Sequence, residues 1–330
     1  MSRGSPFSLV QGERRKQGPM DRNVKETIIK AILLACACFS VIIIFSIIGY
    51  TLWGGAPVIE DIIFHGSGAI LNPIYGGNTN ELADAMYTTM IVAAGGTALA
   101  IAVGLPIAIY MAEFSDMRLR NLTKTSLEVL DGFPSIVIGI AGAYTLLWAI
   151  NNKYSLDVLL SKMGAPDISG GGCIFFAWII LFIMSFPIVA TISEDSLRAV
   201  SQDLREAALG IGATRWQTTT KVLLPVAWPR VLASILLSFA AAMGETVAIQ
   251  FVLGNNFAYI HSPFNLLNPL IPSATLSMVL NSRYKSALDS TGTTPTTAYA
   301  EAFILFIMIG LVNILVRGIS SRQKMASKED

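Results

Sequence analysis

The sequence predicts an all-α polytopic membrane protein with six transmembrane helices and both termini in the cytoplasm. Three observations carry that expectation. Hydrophobic residues make up 53% of the 330 and charged residues only 14%, with a mean hydropathy of +0.59. A soluble domain of this size has too little interior for so much apolar surface. Six apolar stretches are each long enough to cross a hydrocarbon core, which takes about 20 helical residues. Nineteen of the 23 Lys and Arg fall on one set of alternating ends and loops, and such an excess marks the cytoplasmic face.

In chain order, residues 1–26 read as a cytoplasmic tail whose basic run Arg14-Arg15-Lys16 is a topology signal. Residues 27–53 form the first span, an anchor too long for the apolar region of a cleaved signal peptide. An external loop, 54–80, contains no Lys or Arg. The core, 81–317, places further spans at 83–112, 123–150, 173–192, 231–254 and 298–317, and 318–330 is a second cytoplasmic tail. The second span contains "GGTALAIAVGLP". Gly96, Ala100 and Gly104 share one of its faces, at a spacing that lets two helices approach closely. Pro106 removes a backbone donor and is expected to kink this helix.

Between the fourth and fifth spans, the cytoplasmic loop 193–230 reads as two short helices over 198–230. Ser201 is a candidate N-cap with Asp203 in the first turn, and Gly210 or Gly212 ends the helix. Thr214 followed by Gln217 has the capping-box spacing, and Pro225 re-aims the chain toward the fifth span. Ala207, Ala208 and Ile211 are expected to present a flat apolar surface beside Arg205 and Glu206. The external loop 255–297 contains either a short interfacial or re-entrant helix near 272–282 or a docking surface.

Several function classes drop out. A net charge of +1 gives no signal for nucleic acid. Cys36, Cys38 and Cys173 lie in apolar stretches and read as inert buried thiols without metal spacing, and His65 and His261 stand alone. No GxxxxGK[ST] phosphate-binding loop occurs, so ATP binding by that route is not expected of this polypeptide. Neither an inverted repeat of the secondary-transporter kind nor a cluster of enzymatic acids, bases or metal ligands is evident.

The loop also carries a resemblance. Glu206-Ala207-Ala208, three residues, Gly212, nine residues, then Val222-Leu223-Leu224-Pro225 resembles the EAA loop of binding-protein-dependent ABC importer permeases. Val222 stands where that family often has Ile. The resemblance implies the type I importer permease fold, with this loop docking onto a separate ATPase. Arg205, Glu206, Ala207, Ala208, Gly212, Leu224 and Pro225 are the corresponding coupling residues. "LEVLDGFPSIVIGI" (127–140) and "AAAMGETVAIQFVLGN" (240–255) are similar to segments of the phosphate-type permeases. The implied assembly has a second homologous permease subunit, two ATP-binding cassette ATPases that use ATP and Mg, and an extracytoplasmic phosphate-binding protein. It sits in the cell membrane, and this chain itself binds no cofactor or metal.

The candidate pathway residues are Asp131, Pro134, Ser135, Glu245 and Thr246. Glu245 is the costly one, because an acidic residue inside a span costs ~2.5–3.5 kcal/mol on insertion scales. It is either a gate residue or a structural hydrogen-bond acceptor holding Thr246 or a neighbouring helix. Asp131 is nearer the cytoplasmic end, where it reaches water beside Lys124. Phosphate permeases commonly place an Arg shortly before the Gly-Glu pair, whereas this chain has Ala240-Ala241-Ala242 there and no Lys or Arg between Val231 and Arg283. The expected cargo is inorganic phosphate. Sulfate, molybdate or phosphonate is the alternative within the same class.

Overall fold

A computed structural model describes residues 19–65, 81–151, 172–254, 269–288 and 295–329. The first 18 residues, His261, and much of the external loops expected at 54–80, 151–171 and 255–297 lie outside the described residues. The described elements are helical: α1 (Pro19–His65), α2 (Glu81–Glu113), α3 (Met117–Asp131), α4 (Ser135–Asn151), α5 (Ile174–Arg198), α6 (Gln202–Gly210), α7 (Arg215–Thr218), α8 (Leu224–Gly244), α9 (Val247–Gln250), α10 (Leu276–Leu288) and α11 (Pro295–Glu329).

The chain divides into two units, 1–53 and 54–330. The described part of the first unit is helix alone. Its apolar side chains stand exposed, Leu33 at 64% and Phe45 at 68%, which only a lipid surround makes tolerable. Cys36 and Cys38 are exposed on this same helix and only Cys173 is buried, correcting the expectation of three buried thiols. The neighbouring side chains on this stretch of the helix are exposed as well, so nothing there buries the thiols.

In the second unit the core forms where α2 and α5 pack together. A Cβ on Gly96 would come within 2.5 Å of Leu181 Cβ, and Ala100 is fully buried. The small face of the second span therefore serves close packing against α5 of the same chain. Pro106 lies inside α2, and the helix continues through it to Glu113.

Four described helices are long and apolar enough to cross a membrane, or five if the bent pair α3 and α4 is one span. The apolar part of α11, Ala298–Ile314, is shorter. The stretch expected as a span over 123–150 is a bent pair: α3 and α4 meet at 90° across Gly132-Phe133-Pro134. Pro134 has no N–H to continue the helix and biases the preceding residue away from helical backbone. The fifth span is likewise redrawn. Its helix starts at Arg215, passes a π-helical turn over Thr219–Leu223, and ends at Gly244, followed by the separate α9.

That continuity also corrects the role of Pro225. It follows directly on the π-helical turn inside this continuous run, one of the irregularities by which a helix takes up a proline. The π turn preceding it gives the Leu224 N–H a partner in Thr219 O. Pro225 thus passes the helix on and does not turn it.

The segment before and into α10 folds inward, with every residue from Leu270 to Val279 buried. Ile271 O and Pro269 O accept the Ile174 and Phe175 N–H groups at 3.1 and 2.7 Å. Those donors at the start of α5 would otherwise lack partners. Thr88 and Ser273 hydroxyls meet at 2.7 Å, and the Leu276 N–H donates to Thr89 Oγ1 at 2.9 Å. The helix expected near 272–282 thus runs Leu276–Leu288, and its entry is core.

Candidate coupling loop and pathway cavity

The loop after α5 is built from local signals. Asp203 lies in the first turn of α6, after Ser201 at the N-cap, whose side chain makes no cap bond. Gly212 takes φ +88°, the left-handed conformation that releases the chain from a helix. Its N–H donates to Leu209 O at 3.0 Å. Two residues on, Thr214 and Gln217 form both halves of the capping box.

The side chains sort differently from the expected flat surface. Ala207 and Ile211 are exposed, Ile211 at 88%, whereas Ala208 is buried and holds α6 to its own chain. Arg205 also faces inward: its Nη1 donates to Glu113 Oε1 and its Nη2 to Leu197 O at 2.7 Å. It braces the loop against the ends of α2 and α5. Glu206 is exposed and accepts from Gln202 Nε2 at 3.2 Å. Leu224 is half-buried beside a small cluster of Leu197, Leu223, Ala227 and Val231, while Pro225 is exposed. Leu204, 41% exposed, and Trp216, 60% exposed, are further large apolar side chains left open on this loop, as is Leu209. Sequence reasoning missed all three, although a large apolar residue in a charged loop was the available signal.

A second feature escaped the sequence reading. Glu194 is fully buried, and its carboxylate accepts from Arg120 Nε at 2.7 Å and Lys124 Nζ at 3.3 Å. Arg198, one turn along α5, stands 3.7 Å away. Lys124 also donates to Asp195 Oδ1 at 2.7 Å. Lys124 therefore pairs with α5, correcting the expectation that it stands beside Asp131. The legible signal was two pairs at i,i+4 spacing, Arg120 with Lys124 and Glu194 with Arg198, one on each helix. This cluster fastens α3 to the C-terminal end of α5, next to the loop.

At the far end of α3, the elbow and the break in the fifth span meet. A cavity of about 120 Å³ is lined by Asp131, Phe133, Ser185, Ala241 and Glu245, among others. Two of the candidate pathway residues, Asp131 and Glu245, thus share one cavity, while Pro134, Ser135 and Thr246 do not line it. Glu245 lies beyond the end of α8, not within a continuous helix. Its Oε1 accepts the Ala248 N–H at 3.0 Å, and its carbonyl accepts from Ser277 Oγ at 2.9 Å. The carboxylate thus gives a free N–H in the first turn of α9 a partner, which offsets part of the insertion cost. Thr246 donates weakly to Gly244 O at 3.4 Å.

Behind the elbow, Gly139 lets α4 lie against α9, since a Cβ there would come within 2.6 Å of Ala248 Cα and O. A larger apolar cavity of about 550 Å³, lined by Phe133, Val137, Ala141, Phe176 and Ile180, opens beside the same elbow.

The sequence matches the family described as "Binding-protein-dependent transport system inner membrane component" over residues 104–325. It is 28% identical to the "Probable ABC transporter permease protein YqgH" of Bacillus subtilis (strain 168) across 96% of this chain and 98% of that one. It is 30% identical to the "Phosphate transport system permease protein PstC 2" of Mycobacterium tuberculosis (strain ATCC 25618 / H37Rv) across 72% and 73%. Among solved structures, a bacterial alginate ABC transporter in complex with an alginate pentasaccharide-bound periplasmic protein superposes with TM-score 0.54, over 90% of this chain and 96% of that chain, at 15% identity. An inward-facing MetNI methionine ABC transporter does so with TM-score 0.52, over 73% and 95%, at 16% identity. These two share the fold. The chain belongs to the binding-protein-dependent transport system inner membrane component family, the multi-pass, non-catalytic permease subunits of ABC importers.

Proposed function

We propose that this permease carries inorganic phosphate, forming the translocation pathway together with a second homologous permease subunit. The observation that supports this most is the meeting of the two phosphate-type segments, at Asp131 on the elbow and at Glu245 after the break, around a single cavity. Relatives bearing the phosphate-transport name agree with that reading. An extracytoplasmic phosphate-binding protein delivers the anion, and two ATP-binding cassette ATPases, using ATP and Mg, drive the cycle from the cytoplasm.

The coupling surface is the exposed face of the 205–225 loop. Glu206, Ala207 and Pro225 are available to a partner, whereas Arg205, Ala208 and Leu224 hold the loop to its own chain and Gly212 shapes it. A partner's cleft closes on small exposed side chains with little loss of side-chain entropy. Reversing the exposed charge, Glu206→Lys, is expected to abolish co-elution with the ATPase and coupled hydrolysis.

The deciding experiment is ATP-dependent uptake of labelled phosphate with and without this chain, challenged by excess sulfate, molybdate or phosphonate. Chain-dependent uptake that ignores the competitors supports phosphate. Uptake lost under one competitor transfers the reading to that oxyanion.

A further inference from the structure

An anion crossing this chain's interior meets little positive charge. No Lys or Arg stands between Val231 and Arg283, and the inner cavity carries two carboxylates, Asp131 and Glu245. A second polar cavity, of about 330 Å³, has the opposite character. It lies between α9 and α10 and is lined by Gln250, Phe251, Met278, Asn281, Ser282 and Lys285. Among the described residues, no carboxylate lines it. Lys285 offers three N–H donors and no acceptor, and the two amides add more donors. Asn281 Nδ2 donates to Gln250 Oε1 at 3.3 Å. That bond ties the two helices together and leaves both N–H groups of the Gln250 amide outside it.

The cavity's position follows from the chain path. The helical run Arg215–Gly244 has 30 residues, about 45 Å of helix, and Gln250 lies beyond its end. The cavity is therefore at the opposite end of this run from the coupling loop. Glu245 and Ser277 join the same two stretches one step inward, through the Ser277 Oγ to Glu245 O bond at 2.9 Å. The donor-rich and acidic cavities are thus successive along one seam.

We propose that the Lys285 cavity is an outer staging site for a tetrahedral oxyanion. Lys285 supplies the compensating charge, and Gln250 and Asn281 hold the anion's oxygens. Charge-assisted donors are the strong ones for such a ligand. Phe251 and Met278 exclude water from one side, while exposure of Lys285 keeps the well shallow enough for the anion to leave inward. This inference rests on the oxyanion-import reading above.

The test uses the complete reconstituted transporter with its binding protein, comparing wild type, Lys285→Gln and Lys285→Arg. Two quantities are read: ATPase stimulation by phosphate-loaded binding protein, and phosphate moved per ATP hydrolysed. The expected result is a fall of roughly tenfold in phosphate moved per ATP for Lys285→Gln, the scale of one lost charge-assisted bond, with recovery in Lys285→Arg. Unchanged transport per ATP in Lys285→Gln overturns the site. So does a parallel loss of ATPase stimulation, which makes Lys285 a docking contact for the binding protein. If the wild type moves sulfate or molybdate and no phosphate, the phosphate reading fails by itself. The same comparison made with that anion then decides the site.

Discussion

Replacing Glu194 by Gln removes one charge from the centre of the cluster that joins α3 to α5 while nearly preserving its shape. At an effective dielectric near 20, a carboxylate 2.7 Å from Arg120 Nε and 3.3 Å from Lys124 Nζ gains about 6 and 5 kcal/mol in gross attraction. Burial of a fully desolvated carboxylate returns several kcal/mol of that. Removing the anion alone strands its cations, and such losses run to about 3–5 kcal/mol. Here Lys124 keeps Asp195 at 2.7 Å, and Arg120 and Lys124 are 16% and 26% exposed, so solvent and Asp195 absorb part of the loss. The expected cost is about 3 kcal/mol. Asp195, 60% exposed, is the internal control: Asp195→Asn should cost less than about 1 kcal/mol. Denaturant titration of the purified permease in mixed micelles, with unchanged slope, reads both values. A Glu194→Gln protein as stable as wild type, or an Asp195→Asn protein equally damaged, would refute the reasoning.

Three further outcomes are expected. Gly139→Ala puts a methyl 2.6 Å from Ala248 backbone atoms. It should destabilise by about 1–3 kcal/mol in the same titration and reduce uptake by parting α4 from α9. Thr214→Ala removes the capping-box acceptor at a cost of about 1 kcal/mol. Hydrogen exchange at the Gln217 amide should then quicken about fivefold, while full protection would argue against the cap. Glu245→Gln keeps an oxygen for the Ala248 N–H, whereas Glu245→Ala loses it. Uptake should fall in both and further in the alanine variant; full uptake in the glutamine variant would remove any role for the charge.

How much was legible in the sequence depends on the range of the interaction. The capping box at Thr214 and Gln217 and the release at Gly212 are local: a side chain satisfies its own helix's donors, or a glycine takes a left-handed turn, within a few residues. The small face of Gly96, Ala100 and Gly104 was equally readable, because helical periodicity alone places it. Apolar composition set the class, since lipid and water reward different residue types whatever the packing.

The rest needed contacts that no spacing announces. That Ala208 and Arg205 face inward while Leu204 and Trp216 face out depends on where Glu113 and Leu197 come to lie. Glu194 and Lys124 are 70 residues apart in sequence, so only the fold could join them. The 90° elbow at Pro134, the break after Gly244 and the burial of Leu270–Val279 likewise arise from helices competing for one interior. Sequence alone determined which segments are helical and apolar. Tertiary structure decided which charges are buried and which carboxylates share a cavity, because desolvation depends on every neighbouring element at once.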